Sequence, residues 1–330
     1  MPDLDSISIL TLWTAIAIYA GAFIVYAFDL ARRSSAVKVE ERMLVTAGGS
    51  VVAAPGDSPY AAGAGGTEGA PAPGKQRFVM ARIGTSLMIL GWLFHLTATL
   101  TRGIAAGRVP WANLYEFAMI GTLLIVLVYL VVLTRVDLRY LGTFIAGLVL
   151  VLLGAAAANF YVEVTPLVDP LKSVWLVIHV FVASLSVGVL ALAFALSVVQ
   201  LLQARRERRL AEGVENAGPG FLRTLPDTVR LENMAYRFAV VGFIFWTFTL
   251  IAGSIWAQDA WGRYWGFDVK ETWTFIIWVL YAGYIHARAT RGWRGTPSAW
   301  LSIVGFASVI FNFTIVNVFF KGLHAYSGLS

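Results

Sequence analysis

The chain has 330 residues, of which 58% are hydrophobic and only 13% charged, against about 25% charged in an average soluble domain. Its net charge of +6 comes without a basic stripe interleaved with aromatic residues, so neither a soluble globular domain nor a nucleic-acid-binding protein fits. This is the composition of a polytopic membrane protein.

A helix needs about 20 apolar residues to cross a ~30 Å hydrocarbon core. Eight runs reach that length, at about 8–30, 81–101, 114–134, 140–160, 173–202, 235–254, 272–290 and 299–320. No period-two pattern of short strands points to a barrel, and helices satisfy their own backbone in lipid. The expected fold class is therefore all-α, a transmembrane bundle of about eight helices. The first helix, within residues 1–30, is expected to be retained rather than cleaved, because Met1–Ser6 carries two Asp and no basic residue. Residues 31–80, with Gly63-Ala-Gly-Gly66 and Pro71-Ala-Pro73, read as a cytoplasmic disordered linker. The other seven helices form one membrane domain over 81–330.

Lysine and arginine set the orientation. Segments 31–82, 135–139, 203–237 and 288–298 hold 19 of the 25 basic residues, and the alternate segments hold 6. The alternation runs through all eight helices. Both termini, and the segment between the sixth and seventh helices, are expected on the outer face.

That segment, 254–273, is the densest chemistry in the chain. Trp256–Trp273 packs four Trp, one Tyr, one Phe and five charged residues into eighteen positions. A lipid–water boundary usually carries single aromatic anchors. An aromatic shelf mixed with Arg263, Asp268, Lys270 and Glu271 suits a large flat ligand with charged edges, since rings stack and cations meet carboxylates. Arg263 and Lys270 could equally form local salt bridges with Asp268 and Glu271.

The four histidines are His95, His179, His286 and His324, and none lies in a cytoplasmic loop. An ionisable group at membrane depth is costly and is a functional candidate, although single histidines also serve as packing residues between helices. His179, near the outer end of the fifth helix, and His324, just past the outer end of the eighth, lie level with the aromatic shelf. Two imidazoles across such a platform are what a six-coordinate heme iron needs. His286 lies 18 residues beyond Asp268, or ~27 Å along a helix, too far to reach the same iron. His95 reads as a helix-packing residue.

With these residues in place the chain resembles the CcsA/ResC subunit of the cytochrome c synthesis machinery (system II), within the heme-handling proteins named for a tryptophan-rich WWD signature. Trp261-Gly-Arg-Tyr-Trp-Gly-Phe-Asp-Val-Lys-Glu-Thr-Trp273 is similar to that signature. Pro110-Trp111, Asn113-Leu-Tyr-Glu116, Pro166-Leu-Val-Asp-Pro-Leu171, Trp175-Leu-Val-Ile-His179 and Gly322-Leu-His-Ala-Tyr326 accompany it, so that the resemblance covers about 80–330. Phe267 departs from the family's usual Trp, keeping a ring and losing an N–H donor.

The resemblance implies that heme b, as substrate and bound ligand, is presented on the outer face for covalent attachment to an apocytochrome c Cys-x-x-Cys-His segment. It implies a holocytochrome c synthase (heme lyase) component in the bacterial plasma membrane, working with a Ccs1/ResB-type membrane subunit. His179 and His324 would ligate the presented iron, and His286 would be the transit ligand. Asp268 would belong with the outer pair at the catalytic centre. Trp256, Trp261, Arg263, Trp265, Phe267, Lys270, Glu271 and Trp273 would hold the macrocycle. The chain has no cysteine, so separate thiol-reducing proteins are expected to reduce the substrate. Two rival readings are an exporter of heme or another small molecule without ligation chemistry, and a membrane heme electron carrier. One His per helix disfavours the latter.

Overall fold

The computed structural model describes residues 3–47, 79–214, 217–290, 292–320 and 322–323, with backbone only for 34–47. These residues are all helix and connection. The helices are α1 (Leu4–Ala47), α2 (Val79–Ala106), α3 (Leu114–Leu133), α4 (Gly142–Asn159), α5 (Val174–Ala211), α6 (Thr228–Trp261), α7 (Val269–Ala289), α8 (Thr296–Phe313) and the short α9 (Ile315–Phe319).

Seven of the long helices are apolar and long enough to cross a membrane. The eighth, α7, is not among them, because Trp, Tyr, Thr, Lys270, Glu271 and Arg288 dilute its apolar character. Three boundaries differ from the sequence reading. Helix α1 continues past the apolar run to Ala47. The last two turns of α6 include residues 254–261, leaving only 262–268 as an irregular turn before α7. The last apolar run breaks at Thr314 (φ −104°, ψ −74°) into α8 and α9.

Helix α5 is the centre of the bundle, packed on α6, α3 and α8. Its small residues, among them Ala183, Ser184, Ser186, Gly188, Ala191 and Ala193, let neighbouring backbones approach, the usual basis of helix association in lipid. The Ser186 hydroxyl donates to the Gly242 carbonyl of α6 at 2.7 Å. Helices α1 and α2 form a second closely packed pair.

Charged clusters fasten the bundle at both ends. At one end Glu116, fully buried, accepts from Arg102 Nε (3.0 Å), Arg108 Nη1 (2.7 Å) and the Ala112 amide (2.9 Å). Arg102 also donates to Asp5 (2.6 Å) and to the Val162 carbonyl (2.6 Å). One carboxylate and one guanidinium thus tie α1, α2, α3 and the segment before α5 together. At the other end Arg288 of α7 lies 3.2 Å from Glu232 and over the Tyr236 ring, and Glu232 accepts from the Gly295 amide ahead of α8. His95 packs as expected. It is fully buried, 3.3 Å from the Tyr19 hydroxyl of α1 and edge-on to that ring.

Candidate functional site

Helix α5 begins at Ser173, whose Oγ accepts from the Trp175 amide (3.2 Å) and donates to Asp259 of α6 (2.9 Å). This cap joins the two helices at the end where His179 lies. His179 Nδ1 is 2.9 Å from the Thr249 carbonyl oxygen of α6. A carbonyl only accepts, so Nδ1 carries a proton, and in the neutral ring the lone pair lies on Nε2. The ring fits because residue 253 is glycine: a Cβ there would stand 2.7 Å from the imidazole. Trp256 stacks on it, with centroids 5.9 Å apart and planes at 20°. The Trp256 indole is itself fixed, donating to the Pro170 carbonyl at 2.8 Å. An imidazole with one nitrogen bound to a backbone carbonyl and its plane clamped by a ring is held as metal-ligating histidines are held.

His179 faces an open cleft between α3, α5, α6, α7 and α8. Trp111, Phe117, Trp246, Trp256, Trp265 and Phe313 supply most of its aromatic wall, and Lys270, Glu271, Thr274, Asn312 and Asn317 a polar flank. Such a mostly apolar hollow with a few convergent polar groups has the form of a ligand site. No cluster of three or more His, Asp or Glu able to bind a bare metal ion occurs among the described residues.

The turn between α6 and α7 borders the cleft. Helix α6 ends at Gly262 in the left-handed conformation (φ 69°). Asp268 then caps α7, accepting from the Lys270 amide at 3.2 Å, while Glu271 Oε2 accepts from the Asp268 amide (3.1 Å) and the Gly266 amide (2.8 Å). This reciprocal capping box fixes the turn and holds Phe267 at φ 56°, an uncommon conformation for a bulky residue. Asp268 Oδ1 also accepts from the Leu323 amide at 3.0 Å, drawing the chain after α9 back onto the turn.

A family model described as cytochrome C assembly protein matches residues 111–324. The chain belongs to the cytochrome c assembly protein family. Cytochrome c biogenesis protein CcsA of Guillardia theta is 34% identical over 244 residues, covering 70% of this chain and 80% of that protein. CcsA of Synechococcus elongatus is 33% identical over 282 residues, covering 74% and 87%. Among solved structures, cytochrome c heme lyase CcmF matches with a TM-score of 0.60 at 16% identity, a likeness of fold. That match covers 95% of this chain, which spans 47% of the CcmF chain. The protein is therefore a multi-pass membrane protein of cytochrome c biogenesis, of the CcsA type.

Within this family member the anticipated site residues separate into groups. His179, Trp256, Trp265, Lys270 and Glu271 line the cleft. Trp261 packs edge-on against Trp256 behind the wall, with centroids 4.8 Å apart. Trp273 packs on Phe311, with centroids 4.5 Å apart. The Arg263 side chain lies over Gly266, where a Cβ would overlap its guanidinium. Phe267 is 81% exposed on the turn. Neither Arg263 nor Lys270 forms a salt bridge with Asp268 or Glu271: the Lys270 ammonium donates to the Asn317 side chain instead. His286 is exposed in the last turn of α7, at the opposite end of that helix from Asp268. His324 lies outside the described residues, next to the tethered Leu323.

Sequence reasoning passed over Trp246, Thr249, Asn312 and Asn317. The two asparagines carried a readable signal, being amides inside an apolar run where polar groups are costly. Thr249 carried none, because its contribution is a backbone carbonyl.

Proposed function

We propose that this protein is the heme-handling subunit of a cytochrome c synthase, and that it presents heme b in the α5–α8 cleft for attachment to apocytochrome c. The observation that carries the reading is His179. Its Nδ1–H is held by the Thr249 carbonyl and its plane by Trp256, at the wall of an open aromatic cleft. Nε2 is then the nitrogen for one axial position of the iron. His324, the residue after Leu323 in the sequence, would take the other. Asp268 serves this arrangement as a positioning group.

The chemistry asked of the chain is modest. Each substrate thiol adds across a heme vinyl group, with sulfur bonding one carbon and the proton going to the other, and nothing leaves. Catalysis is then mainly orientation and exclusion of water and side reactions, which a clamped imidazole and an aromatic wall provide. The apocytochrome histidine displaces one axial ligand as the thiols meet the vinyls. Reduced thiols come from separate thiol-reducing proteins.

His286 fits a transit role shared with another chain. Its side chain is exposed on the bundle surface with no side-chain hydrogen-bond partner among the described residues, where a ResB-type subunit can complete the iron's coordination. The basic bias supports an orientation with the cleft and both termini on the outer face of the plasma membrane. The test is reconstitution with a ResB-type subunit and apocytochrome c, scored for covalent heme, with absorption spectra of the purified protein. A reduced low-spin bis-histidine spectrum, lost in His179→Ala, is the expected result. Covalent product at the wild-type rate from His179→Ala would refute the reading.

A further inference from the structure

We propose that Lys270, Asn312 and Asn317 form a carboxylate seat at the polar flank of the cleft, and that it takes the propionate edge of the porphyrin. The inference rests on the reading of the cleft as a heme site. The break at Thr314 sets Asn312 on α8 and Asn317 on α9, and both side chains line the cleft. Asn312 is 1% exposed. Its Oδ1 has no partner, and its amide nitrogen makes a single long contact, 3.3 Å to Thr274 Oγ1. Asn317 donates one N–H to the Phe313 carbonyl (3.1 Å) and accepts from Lys270. Among the described residues each amide therefore keeps a second N–H, and the Lys270 ammonium keeps two of three.

Charge points the same way. The nearest carboxylates in sequence are already used at the start of α7, Asp268 on the Lys270 and Leu323 amides and Glu271 on the Gly266 and Asp268 amides. The positive end of the α7 dipole compensates both. Among the described residues the Lys270 ammonium has a neutral amide as its hydrogen-bond partner and no carboxylate within ion-pair distance, the Asp268 charge acting on it only from farther away. A partly buried cation beside spare amide donors stabilises one anionic group and costs free energy without it. Glu271 faces the same cleft with Oε1 buried and unpartnered. Its repulsion directs an incoming carboxylate to the Lys270–Asn317 side. The remaining wall is aromatic, so the cleft matches a flat apolar body with an anionic edge. Arg263, turned over Gly266, is not the anchor.

The test compares iron protoporphyrin IX with its dimethyl ester, which keeps the ring and iron and removes both charges. Each is titrated by absorption into full-length wild-type protein, Lys270→Met, Lys270→Arg and Asn312→Leu. Wild type is expected to bind the free acid at least about tenfold more tightly than the ester, as for a charge-assisted hydrogen bond. Lys270→Met should lose most of that preference with ester affinity unchanged, Lys270→Arg should keep it, and Asn312→Leu should lose a few-fold. Equal wild-type affinity for both forms, with the bis-histidine spectrum present, overturns the carboxylate seat alone and leaves the heme site standing. The wild-type comparison holds even where a variant does not fold. Binding of neither form overturns both.

Discussion

At the scale of single residues, the decisive feature is how His179 is held. Adding a methyl group at Gly253 would place it 2.7 Å from the imidazole, so Gly253→Ala is expected to push the ring off the Thr249 carbonyl. The cost should be about 1–3 kcal/mol, as for other overpacked sites, with a matching fall in heme occupancy. Thermal unfolding and the heme-to-protein ratio measure the two effects. His179→Ala should lose the cleft heme while the protein still inserts, and added imidazole should restore the ligation spectrum. His286→Ala should behave differently. Its exposed side chain predicts a stability change within about 0.5 kcal/mol, while the heme-to-protein ratio of the complex with the ResB-type subunit falls. A wild-type ratio would reject a transit role.

At the scale of elements, the two charged clusters decide how the helices meet. Removing Glu116 leaves Arg102 and Arg108 without their shared carboxylate in a buried setting. Glu116→Ala is expected to cost about 3–5 kcal/mol, as for other broken buried pairs. It should release the loop carrying Trp111 and so disturb the cleft from a distance. Yield of monodisperse protein and its melting temperature test this, and unchanged values would show the cluster to be dispensable. Asp268→Ala removes a cap worth about 0.5–2 kcal/mol and also the acceptor for Leu323. Loss of the bis-histidine spectrum in excess of loss of fold is the expected signature. The motif Asn113-Leu-Tyr-Glu116 acquires a physical meaning here. Asn113 caps α3 by accepting from the Glu116 amide at 2.9 Å, and Glu116 is the hub of the cluster.

At the scale of the whole molecule, orientation is the claim to test. The chain has no cysteine, so single-cysteine variants report without background. Phe267→Cys, at an 81% exposed position, should react with a membrane-impermeant maleimide in intact cells. Val214→Cys, exposed beyond the basic end of α5, should react only after permeabilisation. The reverse pattern would place the cleft in the wrong compartment for the proposed reaction.

Helix number and class were readable from sequence alone, because the requirement for about 20 apolar residues acts locally. So were the aromatic segment and His179 as a candidate, because polar and aromatic residues inside an apolar chain are few. What sequence could not supply was which of those side chains share a space. Trp273 and Trp261 pack against other rings while Trp246, Asn312 and Asn317 reach the cleft. That choice depends on the rotation of each helix about its own axis, set by packing against neighbours that are distant in sequence. The proton on His179 Nδ1 likewise depends on a backbone carbonyl of α6, 70 residues away. A carbonyl is present in every residue and leaves no mark in the sequence, so only the tertiary structure could single out this one.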